Sequence, residues 1–191
     1  MDPLGVVALA VLGITVTVAV AIAIVTFNAV VAQQRRVDKA WANVDVALKQ
    51  RWDELPNVVH AVEGVMAYER SVLEDVTRLR AAYAPGEPLP RQARTSDATT
   101  AAVKSLFAVV ERYPEIRSAA NVTSLQEEIE RLEDLIATRR EFYNDSVYLY
   151  NSTIGQLPAV VIAPLCGWTP RAYFKADLDE TARPDVVLDR A

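Results

Sequence analysis

Cysteine and histidine are almost missing from this chain. With a single cysteine, Cys166, no intramolecular disulfide can form and no multi-cysteine metal site can be built. The single histidine, His60, has no HExxH pattern around it, which argues against a zinc hydrolase. There is no basic stripe and no RNA-binding aromatic motif, and the net charge of −5 speaks against nucleic acid as a partner. No nucleophile stands beside a base, no phosphate loop is present and no metal-ligand spacing occurs. The expected reading is therefore not an enzyme, and neither cofactor nor metal is expected. No repeat of about 20–50 residues appears, which excludes a solenoid. Glycines and prolines are few and fall mostly in clusters, so long helices are expected and a sheet is not.

The most telling absence is of charge near the N-terminus. From Leu4 to Phe27 every side chain is Leu, Val, Ile, Ala, Gly, Thr or Phe. At about 1.5 Å per residue this run makes a helix of roughly 36 Å, enough to cross a hydrocarbon core of about 30 Å with some tilt. Its Leu, Ile, Val and Phe residues each favour insertion by roughly 0.3–0.6 kcal/mol, with no charge opposing. A cleaved signal peptide is the competing reading, and Val30-Val31-Ala32 offers a place to cut. The leader Met1-Asp2-Pro3 carries no basic residue, however, and the run exceeds the usual 7–15 residues of a signal core. A retained anchor over residues 4–27, after a leader of residues 1–3, is the preferred reading. Arg35, Arg36 and Lys39 follow the span and only Asp2 precedes it. The expected topology is thus a single pass of the cell membrane, N-terminus outside and the remainder cytoplasmic.

Beyond the anchor, apolar residues return with helical spacing. Val37, Trp41, Val44, Leu48, Leu55, Val59, Val62, Met66, Leu73 and Val76 recur at three, four or seven, which predicts one long helix to Tyr83. Pro56 predicts a kink near Asp53–Pro56, with a full break as the alternative. Pro85, Gly86, Pro88 and Pro90 mark a loop over residues 83–95. Ser96 or Asp97 can then cap a second helix that ends near Tyr113-Pro114. Thr123-x-x-Gln126 and Ser124-x-x-Glu127 fit capping boxes for a third. Its seam runs through Leu125, Ile129, Leu132, Ile136, Arg139, Tyr143, Val147, Tyr150, Ile154 and Leu157, with a phase shift before Tyr143. Helices of this kind cannot hide their apolar stripes alone. The expected fold is all-α: the transmembrane helix, an elongated antiparallel bundle over residues 28–174, and an acidic tail over 175–191 that is expected to be disordered.

Polar residues suited to a site are sparse. Tyr143-Asn144 and Tyr150-Asn151 lie seven residues apart, which puts both tyrosines on one face and both asparagines on a neighbouring one. The functional reading is a polar ligand site. The structural reading, which is preferred, has tyrosines filling the seam while asparagines bond to another helix and fix register. Asp45, Asn57 and Glu69 are the candidates to meet them, and Arg139 or Arg140 could pair with one of those carboxylates. Cys166 reads as a small packed side chain, and His60 as a surface or half-buried helix residue. Gly13, Thr17 and Ala21 form a small-residue stripe on the anchor, a pattern that permits close helix approach.

The run Val37-Asp38-Lys39-Ala40-Trp41-Ala42-Asn43-Val44-Asp45-Val46-Ala47-Leu48-Lys49-Gln50-Arg51, with Asp53-Glu54-Leu55-Pro56-Asn57-Val58-Val59, resembles the signature of the LemA family. Tyr113-Pro114, Leu125-Gln126, Arg139-Arg140, Tyr143-Asn144, Tyr150-Asn151, Leu157-Pro158 and Tyr173-Phe174 extend the resemblance in order. Leu157, where the family usually has Phe, and Lys175 depart from the pattern. The resemblance implies one N-terminal span and a membrane-proximal antiparallel bundle. It implies no agreed activity, and one branch is associated with magnetosome membrane formation. Two functions follow as expectations. The first is a membrane-anchored scaffold that contacts membrane proteins or itself, with the lipid bilayer held by residues 4–27. The second is a binding module for a lipid or small amphipathic ligand between the bundle helices.

Overall fold

The computed structural model describes residues 2–63, 70–82, 87–114 and 120–175. Its helices are α1 (Pro3–Glu63), α2 (Arg70–Ala82), α3 (Leu89–Val110), α4 (Ala120–Ile154) and α5 (Ala159–Cys166). The fold is the expected all-α one, an apolar N-terminal helix followed by a helical bundle, and no strand occurs among the described residues.

Helix α1 carries the apolar run into the bundle without interruption. A window of it reaches a mean hydropathy of 2.7 and none of that window is buried, so it is long and apolar enough to cross a membrane. The hydroxyls of Thr15, Thr17 and Thr26 donate to the carbonyls of Val11, Gly13 and Ile22, which satisfies them within the helix. Pro56 lies inside α1. It withholds a backbone hydrogen bond from the carbonyl of Trp52, yet the helix continues to Glu63 and no full break occurs. Met66 and Glu69 lie outside the described residues, as do Tyr83, Pro85 and Gly86.

Three boundaries differ from expectation. Helix α3 starts at Leu89 and not at Ser96, with Pro88 just before it and Pro90 in its first turn. The first turn of a helix leaves its N–H groups unbonded, so proline costs nothing there and starts the helix instead of breaking it. Thr123 and Ser124 stand inside α4, which is already helical at Ala120. Helix α4 stops at Ile154, short of Leu157, and a further short helix, α5, follows within the bundle segment. The closure of α5 has a clear local cause: Gly167 takes a left-handed φ of 66°, and the Trp168 N–H donates to the Ala163 carbonyl at 3.0 Å. Cys166, the last residue of α5, is exposed, contrary to the packed side chain expected.

The chain divides into two compact units. In the first, Met1–Val44 with Arg139–Ala172, the buried side chains are Val30, Val37, Ala40 and Val44 of α1, Tyr143, Val147, Tyr150 and Ile154 of α4, and Ala159 and Ala163 of α5. The Trp41 ring meets the Tyr143 ring edge-on, with centroids 5.5 Å apart. In the second, Asp45–Thr138 with Tyr173–Ala191, α1 buries Leu48, Leu55, Val58 and Val62. Helices α2 and α3 pack on each other, burying Val76, Val103, Leu106 and Val110, and α4 adds Ile129, Leu132 and Ile136. Each such Leu, Ile or Val contributes on the order of 1.5–3 kcal/mol through its removal from water.

Candidate functional site

The second unit contains a buried cation. Arg51 is wholly enclosed, and full burial of an arginine is tolerable only if its charge and donors are matched. Its position follows from helix geometry: it lies three residues after Leu48 and four before Leu55, on the same inward face of α1. Nη1 donates to Glu133 Oε1 at 2.8 Å and to Thr100 Oγ1 at 2.9 Å. Nη2 donates to Ser96 Oγ at 3.0 Å and to the Ser96 carbonyl at 3.2 Å. Ser96 and Thr100, four apart, share one face of α3, and the Thr100 hydroxyl donates to Glu133 Oε2 at 2.7 Å. The cluster therefore joins α1, α3 and α4 through one guanidinium, whose planar fork suits several acceptors at once. The Trp52 ring lies 5.6 Å from the guanidinium carbon. Chemically this is a lock: both terminal guanidinium nitrogens, the Ser96 and Thr100 hydroxyls and the Glu133 carboxylate are spent on one another.

The first unit holds a neutral counterpart. After α5 the chain returns along α4, and Asn151 receives it. The side-chain amide donates to the Arg171 carbonyl at 2.9 Å, and its oxygen accepts the Arg171 N–H at 2.8 Å. An asparagine amide has the donor–acceptor pair of a peptide bond, so it pairs with the returning backbone as another strand would. One residue on, the Ala172 carbonyl accepts the Tyr143 hydroxyl at 2.9 Å. Outside this clamp, the Arg171 guanidinium meets Asp38 at 3.4 Å in a half-exposed pair. Burial pushes the hydroxyls of Tyr143 and Tyr150 above the usual tyrosine range. Arg171 opposes that shift and Asp38 adds to it.

These placements sort the residues singled out from sequence. Tyr143, Tyr150 and Asn151 come together in the first unit. Asn151 binds the returning segment, whereas a neighbouring helix was the expected partner, and the α1 carboxylate in this cluster is Asp38. Asn144, Arg139 and Arg140 stand half-buried on α4, and Asp45 half-buried on α1. Asn57 is exposed, its amide donating to Glu54 at 2.9 Å. Glu69 lies outside the described residues. Sequence reasoning passed over Arg51, Glu133, Ser96 and Thr100. The signal for Arg51 was there: the apolar seam of α1 steps seven positions from Leu48 to Leu55, and Arg51 occupies the inward position between them. Among the described residues no group of three or more His, Cys, Asp or Glu side chains could hold a metal ion.

Comparison with known proteins adds the lineage. A segment is 38% identical over 74 residues to "Magnetosome protein MamQ 2" of Paramagnetospirillum magneticum, covering 39% of this chain and 27% of that protein. "Magnetosome protein MamQ" of Magnetospirillum gryphiswaldense is 34% identical over 73 residues, covering 38% of this chain and 27% of its own length. The matching segment thus spans about a quarter of the curated relatives. The LemA family pattern is broader, covering residues 40–187, most of the bundle and, Asp38 apart, both polar clusters. This chain, a membrane-associated helical protein, belongs to the LemA family.

Proposed function

We propose that the protein is a single-pass membrane scaffold or adaptor, with its N-terminus outside and its bundle in the cytoplasm, acting through protein–protein contacts or self-association. The observation that carries this reading is α1. From Pro3 to Ile22 its charge-free part is exposed on all sides, as a lipid-facing helix must be, and it continues as hydrogen-bonded helix into residues that build the bundle. Such a connection holds the bundle at the membrane without a flexible tether. The polar clusters support a structural role over a catalytic one, because Arg51, Glu133, Tyr143 and Asn151 use their hydrogen-bonding groups to fasten helices and backbone. Surface for partners is present on α4, where Phe142 and Leu149, seven apart on one face, are exposed together with Tyr148.

The test is crosslinking in native membranes, with a photoreactive residue in place of Phe142 or Leu149 and identification of what is captured. Recovery of a defined membrane protein, or of a second copy, is the expected result. If neither position yields a stable adduct, the scaffold reading fails. Protease protection in intact cells checks the orientation: the bundle is expected to resist digestion until the cells are opened. The binding-module reading predicts instead a lipid or amphipathic ligand between the helices at Tyr143 and Tyr150. At that position Trp41 and the 171–172 backbone already pack against Tyr143.

A further inference from the structure

The segment after α4 is unusual for a surface. From Leu157 to Trp168 it contains no charged side chain and, Cys166 apart, only Leu, Pro, Ala, Val, Ile, Gly and Trp. Within it α5 buries only its small residues, Ala159 and Ala163. Several large ones point outward, with Leu157 79% exposed, Val161 65% and Leu165 86%, while Ile162 is half-buried. Water-facing helices carry polar residues on that side, so this one is built inside out.

Its location says what covers it. The Trp168 ring packs on the ring of Phe27, the last residue of the charge-free run, with centroids 5.6 Å apart. Burial along α1 begins at the same level, with Ala23 half-buried and Thr26 and Val30 buried on one face, while the other residues from Pro3 to Val25 are exposed. The run of roughly 36 Å exceeds a hydrocarbon core of about 30 Å, so its last turn and Trp168 fall near the lipid headgroups. Tryptophan favours that depth, and Arg171 and Lys175 follow it on the aqueous side.

We propose that α5, with Leu157 and Trp168, is a second membrane-contacting element, an apolar wedge seated in the bilayer leaflet beside the bundle-proximal end of α1. The occupant of its exposed face is lipid acyl chain. The outward residues and the apolar surface of α1 form one continuous lipid-facing region, joined at the Phe27–Trp168 contact. Alanines 159 and 163 let α5 lie close to the rest of its unit, and the clamp at Asn151 returns the chain to the aqueous side. The inference rests on α1 spanning the membrane.

The full chain provides its own probe, because Cys166 is the single cysteine and is exposed. A nitroxide attached there, in protein reconstituted into phosphatidylcholine–phosphatidylglycerol vesicles, is read by power-saturation electron paramagnetic resonance. Greater accessibility to oxygen than to a water-soluble nickel chelate is expected. The exposed-site substitution Leu165→Lys, or Val161→Lys, is expected to shift the label outward and reverse that preference. A label on the wild-type chain that meets the nickel chelate more readily than oxygen overturns the proposal. So does spin–spin broadening that disappears on dilution with unlabelled chain, which would identify a second copy as the occupant. Flotation of the same vesicles separates the two claims: protein that floats with an aqueous Cys166 retains its anchor and loses the wedge, and protein that fails to float has lost the anchor.

Discussion

The two units fasten their helices with different chemistry, and the difference sets what each can tolerate. In the second unit a fully buried guanidinium is matched by a carboxylate and two hydroxyl residues. In the first, a neutral amide and a phenol hold a returning backbone. A buried charge is an all-or-nothing device: complete it fixes register, and with one partner gone the charge is stranded in a poor solvent. A neutral clamp fails by degrees, because water can take over the exposed backbone groups.

The sharpest test removes the cation or its counter-charge. Arg51→Ala or Glu133→Ala is expected to cost about 3–5 kcal/mol, read by chemical denaturation in detergent. Replacing both, as Arg51→Met with Glu133→Leu, is expected to recover most of that loss, since similar apolar volume needs no counter-charge. A double variant as unstable as either single one would show that the cluster does more than neutralise itself.

The neutral clamp predicts smaller effects. Asn151→Ala is expected to cost about 1–3 kcal/mol by leaving the Arg171 peptide partly unsatisfied, with faster proteolysis near residues 168–172 as the structural readout. Tyr143→Phe, which keeps the ring against Trp41 and deletes one hydrogen bond, is expected to cost about 1 kcal/mol. The tyrosines also set a pH window. Their folded-state values lie above the unfolded one, so their stabilisation is complete below about pH 10 and is lost as pH climbs through the higher folded values. Melting between pH 8 and pH 11.5, about the range this ionisation spans, should show that decline, blunted in Tyr143→Phe.

Much of the bundle was legible in sequence because periodicity reports burial directly. Val44, Leu48, Leu55, Ile129, Leu132, Ile136, Val147 and Ile154 are all interior. The misreadings have physical causes. Proline reads as a breaker, yet at 88 and 90 a helix start accommodates it. Arg51 carries a charge, so apolar periodicity does not report it, although its spacing marks it as inward. Asn151 stands out in the sequence, yet its partner is a peptide group twenty residues on, which no side-chain pattern reveals. Helix α5 was hidden because eight apolar residues containing Pro164 have neither the length nor the polar alternation that mark a helix at a water surface.

The unbroken course of α1 also fixes an azimuth. At about 100° per residue, Thr17 lies roughly 180° around the helix from Thr26, with Gly13 and Ala21 some 40° to either side of it. The stripe of small residues therefore looks away from the face that Thr26 and Val30 bury, and the space beside Gly13 is open. Because the helix cannot swivel about its own axis between these positions, seating the buried face orients the stripe as well. The two sides of the helix are thus set back to back like the edges of a key, and occupation of one leaves the other accessible.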